Sequence, residues 1–135
     1  MIADLTDEDF ERWPNFKRSE FASKDNGECR MEPRFMDLIQ ALRLEYGKPM
    51  VITSGYRSPE HNASVSDTGG SGVHTTGCAA DILVCGGDAV LLLRIALRLG
   101  FHGVGISQKG DMGKRFIHLD VGDRAKFPRP AMWSY

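Results

Sequence analysis

No long hydrophobic run interrupts these 135 residues. The longest, Ala89–Leu93, meets Arg94, far short of the roughly 20 apolar residues that a membrane-spanning helix needs. An excess of charge of one sign is lacking too. Lys and Arg number 17 against 18 Asp and Glu, a formal net charge of −1. Such a chain has no surplus of cations to neutralise a phosphate backbone, so neither nucleic acid nor a membrane is expected as a partner. Cysteine is scarce: Cys29, Cys78 and Cys85 are an odd number with no C-x-x-C pair. A disulfide framework and a cysteine-rich zinc knuckle both drop out, and the thiols are expected to pack as small hydrophobes. The H-E-x-x-H helix signature of many metalloproteases is missing as well. Finally, the opening MIADLTDEDFE lacks the charged-then-apolar layout of a signal peptide, so synthesis without a secretion leader is expected.

What remains has the composition of one soluble domain, with 41% hydrophobic residues and a length that suits a single core. A single domain spanning 1–135 is expected, with residues 1–30 forming an N-terminal extension of short helices and loops draped on it. Glu32 to Tyr46 carries Phe35, Leu38, Ile39, Leu42 and Tyr46 at helical spacing. Pro33 stands where a helix start tolerates it, and Gly47 where a C-cap belongs. Pro49–Thr53 reads as a short buried strand. Asn62 to Gly77 offers little to bury and reads as a functional loop. Ala79–Val84 reads as a strand, and Asp88 as the N-cap of a helix from Ala89 to Leu99. Two further strands, Gly103–Ser107 and Arg115–Val121, flank a turn, and the tail RPAMWSY cannot be helical throughout. Trp133 and Tyr135 in that tail are read as packing residues, with lining a cleft as the alternative. The expected fold class is α+β, a small and mainly antiparallel sheet with helices packed on one side.

Two of the four histidines have informative neighbours. In His74-Thr-Thr-Gly77-Cys-Ala-Ala-Asp81, strand alternation turns Asp81 away from the core-facing Ala80 and Ile82. Gly77 permits the turn that returns His74 to its side. In Phe116–Val121, Ile117, Leu119 and Val121 form the buried face, while His118 and Asp120 share the other. Two strands bearing His and Asp on their non-core faces offer the N/O donors that a catalytic zinc takes.

The order F-x-x-S-E-F (Phe16–Phe21), S-G-Y-R-S-P-x-x-N (Ser54–Asn62), H-x-x-G-x-A-x-D (His74–Asp81) and F-I-H-L-D-V (Phe116–Val121) resembles the M15 zinc peptidases. These are D-Ala-D-Ala carboxypeptidase-type enzymes that share a metal-site architecture with lysostaphin-type endopeptidases and the hedgehog signalling domain. The resemblance implies that fold, one Zn2+, and His74, Asp81 and His118 as its ligands. It implies peptidoglycan stem peptides as substrates, cut by carboxypeptidase or endopeptidase action. Arg57 would bind their carboxylate or carbonyl, a task suited to its planar fork of donors. Tyr56 and Ser71 join Arg57 as candidate substrate-binding residues, with packing the alternative for Tyr56.

The chain departs from the pattern twice. Many relatives carry Ser two residues before the first ligand His; here Gly72 stands there, with Ser71 one further back. Better-known members place a catalytic Glu three residues before the last His, and here that position is Arg115. Asp120 is then the candidate base beside Arg57 in the catalytic set, with orientation of His118 as the alternative role. A monomer is expected. Without a leader, a phage or prophage lysin acting on the wall after release fits best. A non-catalytic, zinc-stabilised binding or assembly module of the same fold is the competing reading.

Overall fold

A computed structural model describes residues 2–135. The α+β expectation is borne out: helices accompany one five-stranded sheet of order β1-β2-β4-β3-β5. Its strands are β1 (Val51–Ser54), β2 (Ala79–Leu83), β3 (Gly103–Ser107), β4 (Phe116–Asp120) and β5 (Ala131–Ser134). Neighbours run antiparallel except β3 and β5, which are parallel. No helix among the described residues is long and apolar enough to cross a membrane.

Helix α1 is the single turn Arg18–Phe21, and α2 spans Pro33–Tyr46. Pro33 occupies the first turn of α2 and Gly47 caps it in the left-handed conformation, its N–H on the Arg43 carbonyl. Phe35, Met36, Ile39 and Leu42 of α2 are fully buried. Helix α4 (Gly86–Leu99) packs against α2 and β4. It starts earlier than expected, because the Ala89 N–H reaches the Cys85 carbonyl at 3.4 Å and makes Cys85 the cap. Asp88 lies inside the first turn instead and pairs with Lys48. Residues 62–77 differ from the expected loop as well. Helix α3 (Pro59–Val65) forms because the Ser58 hydroxyl accepts from the His61 N–H at 3.0 Å and Pro59 supplies a preset first turn. Two 3-10 turns follow, Gly69–Ser71 and Val73–Thr76.

The N-terminal residues do more than drape the domain. Phe10, Trp13, Phe16 and Phe21 are buried in the core cluster, and the Trp13 indole donates to Asp37 of α2 at 2.8 Å. The cysteines are all free, with Cys29 buried.

Strand alternation divides the sheet into two unlike faces. Ala80, Ile82, Val104, Ile117 and Leu119 turn to the apolar core. The opposite face carries Asp81 paired with His118, Ala79 with Asp120, and glycine at 103 and 105 of β3 opposite Asp120 and His118. Those glycines leave the room that neighbouring side chains occupy. A Cβ on Gly103 would lie 2.1–2.3 Å from the Asp120 carboxyl group, and one on Gly105 2.6 Å from the Trp133 indole nitrogen. The polar face thus becomes the floor of a cleft rather than a second core.

Candidate metal centre and its cleft

His74 reaches the floor from the 3-10 turn that precedes β2. The reversal after it depends on Gly77, whose φ of +74° favours glycine. A Cβ there would also lie 2.1 Å from the Arg30 carbonyl oxygen. Asp81 projects from β2 and His118 from β4, directly across the ladder from each other. His74, Asp81 and His118 are all buried, at 6%, 7% and 2% exposure.

Their outer hydrogen bonds settle which atoms face inward. His74 Nδ1 lies 2.8 Å from the Gly55 carbonyl, which can only accept, so Nδ1 carries the proton and Nε2 offers a lone pair. His118 Nε2 lies 2.7 Å from Asp120 Oδ2. With Asp120 ionised, that nitrogen is the donor and Nδ1 keeps the lone pair. Three electron-rich atoms then converge. His118 Nδ1 is 3.0 Å from Asp81 Oδ1 and 3.2 Å from His74 Nε2, and the last two are 3.3 Å apart. Lone pairs so arranged repel unless a cation lies among them. Edges of this length match the roughly 3.3 Å between donors that tetrahedral bonds of about 2.0–2.1 Å to zinc would set. Two imidazoles and one carboxylate are also a zinc-type donor set, and each imidazole has the outer partner that such ligands have. The residues fit the ion.

A proton can take the place of that cation. Burial alone would raise the Asp81 pKa, but hydrogen bonds from the facing imidazoles of His118 and His74 then outweigh it and hold the carboxyl well below its ordinary range. Asp120 behaves likewise: burial opposes ionisation, and bonds from His118 and Arg129 more than compensate. Burial pushes the His118 pKa down, while the bonds to Asp120 and Asp81 raise it further, leaving it above the ordinary value.

The remaining candidates separate by position. Arg57 stands on the rim of the metal group, 18% exposed, with Nη2 3.4 Å from Asp81 Oδ2. Ser54 accepts from its Nε at 3.0 Å and Asn62 from its Nη1 at 3.2 Å, which fixes the guanidinium. These two polar residues of the motif hold the arginine as well as the turn. Ser71, by contrast, is exposed, and its hydroxyl is turned to the Thr68 carbonyl at 3.4 Å, outside the cleft wall. The hydroxyl beside Gly72 is that of Thr68. A Cβ at Gly72 would come within 2.2 Å of Thr68 Oγ1, which lies on the cleft wall and accepts from Asn62 at 2.8 Å. Tyr56 is buried in the core and lines a neighbouring cavity with Glu28 and Arg30, not the cleft of His74 and His118.

Asp120 is fully buried behind His118, away from the other two donors. Oδ2 accepts from His118 Nε2 and from Arg129 Nη2 at 2.7 Å each, and Oδ1 from Arg129 Nε at 2.8 Å and the Gly122 N–H at 3.1 Å. Arg115 turns to the Gly110 carbonyl, at 3.0 and 3.2 Å.

The cleft over the group has a volume of about 960 Å³. One wall had not been assigned from the sequence. Phe127, Arg129, Trp133 and Tyr135 line it, and the Trp133 ring lies 5.0 Å from that of His118. Trp133 is half-buried between exposed Met132 and Ser134 on β5, and Tyr135 follows just past the strand; an i, i+2 aromatic pair was the available signal. A buried, outer-bonded His-Asp-His group under an open cleft with a fixed arginine is the arrangement of a mononuclear metallohydrolase. The sequence agrees on the class. The peptidase M15 family model matches residues 14–120, and the chain belongs to that family of peptidases. Among curated proteins no significant match is found.

Proposed function

We propose that the chain is a zinc-dependent peptidase that hydrolyses peptide bonds in peptidoglycan stem peptides, as a carboxypeptidase or an endopeptidase. The observation that supports this reading best is the convergence of three buried lone-pair donors 3.0–3.3 Å apart, beside an anchored guanidinium. His74, Asp81 and His118 would hold the ion. Bound there, zinc supplies Lewis acidity toward a carbonyl and lowers the pKa of water to about 7.

The protein's own residues do the rest. Arg57, already held by Ser54 and Asn62, presents its remaining donor capacity to a substrate carboxylate or carbonyl and fixes the peptide against the metal group. Trp133 and Tyr135 supply an aromatic wall opposite. Asp120 has four donors on its two oxygens and no exposure. Its surroundings support the orienting role over that of base, since it fixes the tautomer of His118. Among described residues, Asp67 is the other carboxylate on the cleft wall besides Asp81. A phage or prophage lysin is the setting in which such a domain meets wall peptides.

The test is digestion of purified peptidoglycan by the zinc-loaded protein, with muropeptides read by mass spectrometry. New termini or released D-Ala, abolished by chelator and by His118→Ala, are expected, and their masses name the bond. Stoichiometric zinc without hydrolysis of any wall substrate overturns the enzyme reading in favour of a zinc-stabilised binding module.

A further inference from the structure

Behind the metal group lies a second, buried layer that the family match reaches only at Asp120. The match stops at residue 120, and Arg129 lies beyond it on the segment leading into β5. Its side chain is 7% exposed, and its Nε and Nη2 grip the two oxygens of Asp120 at 2.8 and 2.7 Å. Its third nitrogen donates to the Pro128 carbonyl at 2.7 Å. The guanidinium carbon stands 5.3 Å from the Trp133 ring and 5.5 Å from the Phe127 ring, so aromatic faces restrict it as well. The planar fork allows no swivel of the carboxylate it holds. Asp120 in turn has room for one orientation, packed against the bare backbone of Gly103.

Resting on the metallopeptidase reading above, we infer that Arg129 is a positioning residue of the metal centre. It locks Asp120, Asp120 locks the Nε2–H tautomer and ring angle of His118, and Nδ1 of His118 is thereby aimed at Asp81 and His74. A neutral His118 without this clamp can carry its proton on Nδ1, pointing it into the place of the ion. Reorientation of Asp120 would release that constraint. Burying an arginine and an aspartate together rarely adds net stability over apolar packing; here the pair instead sets the direction of a ligand.

Arg129→Met, Arg129→Lys and Asp120→Asn are compared with wild type and with Arg18→Met. Arg18 is likewise hydrogen-bonded to an aspartate, Asp4, and neither lines the cleft. Zinc affinity is measured by competition with a chromophoric chelator, cobalt coordination by the visible spectrum, and the His118 tautomer by nitrogen-15 chemical shifts of the metal-free protein. Arg129→Met and Asp120→Asn are expected to weaken zinc about 10- to 100-fold, alter the cobalt spectrum and admit the Nδ1–H tautomer. Arg129→Lys, which keeps the charge but not the fork, should fall between and serves where Arg129→Met does not fold. Arg18→Met should lower the melting temperature and leave zinc affinity unchanged. Folded Arg129 variants with wild-type zinc affinity and tautomer overturn the inference, as does an equal loss of affinity in Arg18→Met. Wild type that binds neither zinc nor cobalt overturns the underlying metallopeptidase reading instead.

Discussion

Gly103→Ala tests the construction of the cleft floor at a position that touches no substrate. One methyl group is added to β3, directly across the ladder from Asp120. Its carbon would lie 2.1, 2.2 and 2.3 Å from Oδ1, Cγ and Oδ2 of that residue. Ordinary contact requires about 1 Å more, so either the carboxylate moves or β3 separates from β4. A shift of that size breaks the geometry of at least two of the four hydrogen bonds on a fully buried carboxylate. Bonds to a charged group contribute about 1.5–3 kcal/mol each, which puts the loss near 3–6 kcal/mol. With an unfolding entropy of about 2 cal/mol/K per residue, this lowers Tm by roughly 11–22 °C. Gly87→Ala is the control, since its Cβ meets nothing within 4 Å in the first turn of α4. That change should raise stability by up to about 1 kcal/mol. Differential scanning calorimetry of both variants decides it. A Gly103→Ala protein melting within about 3 °C of wild type would refute the reasoning.

Two more outcomes follow from single side chains. Gly77→Ala combines a left-handed φ with a Cβ 2.1 Å from the Arg30 oxygen, whereas Gly110→Ala has a similar φ of +76° and open space. Urea denaturation should show about 1 kcal/mol lost at Gly110 and about 2–4 kcal/mol at Gly77, with zinc binding impaired only in the second. Burial pushes the Cys29 thiol up to about 11 from an ordinary value near 9. The unfolded chain therefore releases this proton first. The stabilising contribution is complete below pH 9 and is lost as pH rises toward 11. Wild type should lose about 2 kcal/mol more than Cys29→Ala between pH 8 and pH 11.

Local signals carried the helices and strands of the sequence reading. Pro33 and Gly47 bounded α2 where expected, and alternation assigned the correct faces to β2 and β4, with Asp81 opposite His118. The misread stretches were those where a side-chain cap or a distant partner decides the backbone. Ser58-Pro59 starts α3 just before the expected loop and carries it into that stretch, and Cys85, not Asp88, caps α4. The outer bond of His74 was not legible, because Gly55 reaches it through tertiary structure, whereas that of His118 comes from Asp120 two residues along the same strand and was the alternative role read for Asp120. The origin of the hydroxyl beside Gly72 was not legible either. A shift of Ser71 was the local expectation, yet the 3-10 turns bring Thr68 into that space. For Trp133 and Tyr135 the less favoured of two readings, the cleft, is the observed one, because β5 pairs with β3, an association across the chain that a seven-residue tail does not announce.

The composition of the polar face argues that this side of the sheet is not optimised for stability. Glycine in a strand costs about 0.5–1 kcal/mol relative to alanine, and β3 has two on this face. Buried ion pairs replaced by well-packed apolar residues often yield 1–4 kcal/mol of added stability, yet this face buries Asp81, Asp120, His74 and His118 with Arg129 beside them. A sheet stabilised from both sides would carry Val or Ile at 103, 105, 118 and 120. What those residues provide instead is direction. Each donor atom has one neighbour that fixes it from behind, and the two glycines hold open the space in which Asp120 and Trp133 lie. The core face, with Ile82, Ile117 and Leu119 in the apolar cluster, supplies the stability that the other face forgoes. Substitutions on the core face should therefore act through folding alone, and those on the polar face through metal affinity as well as folding.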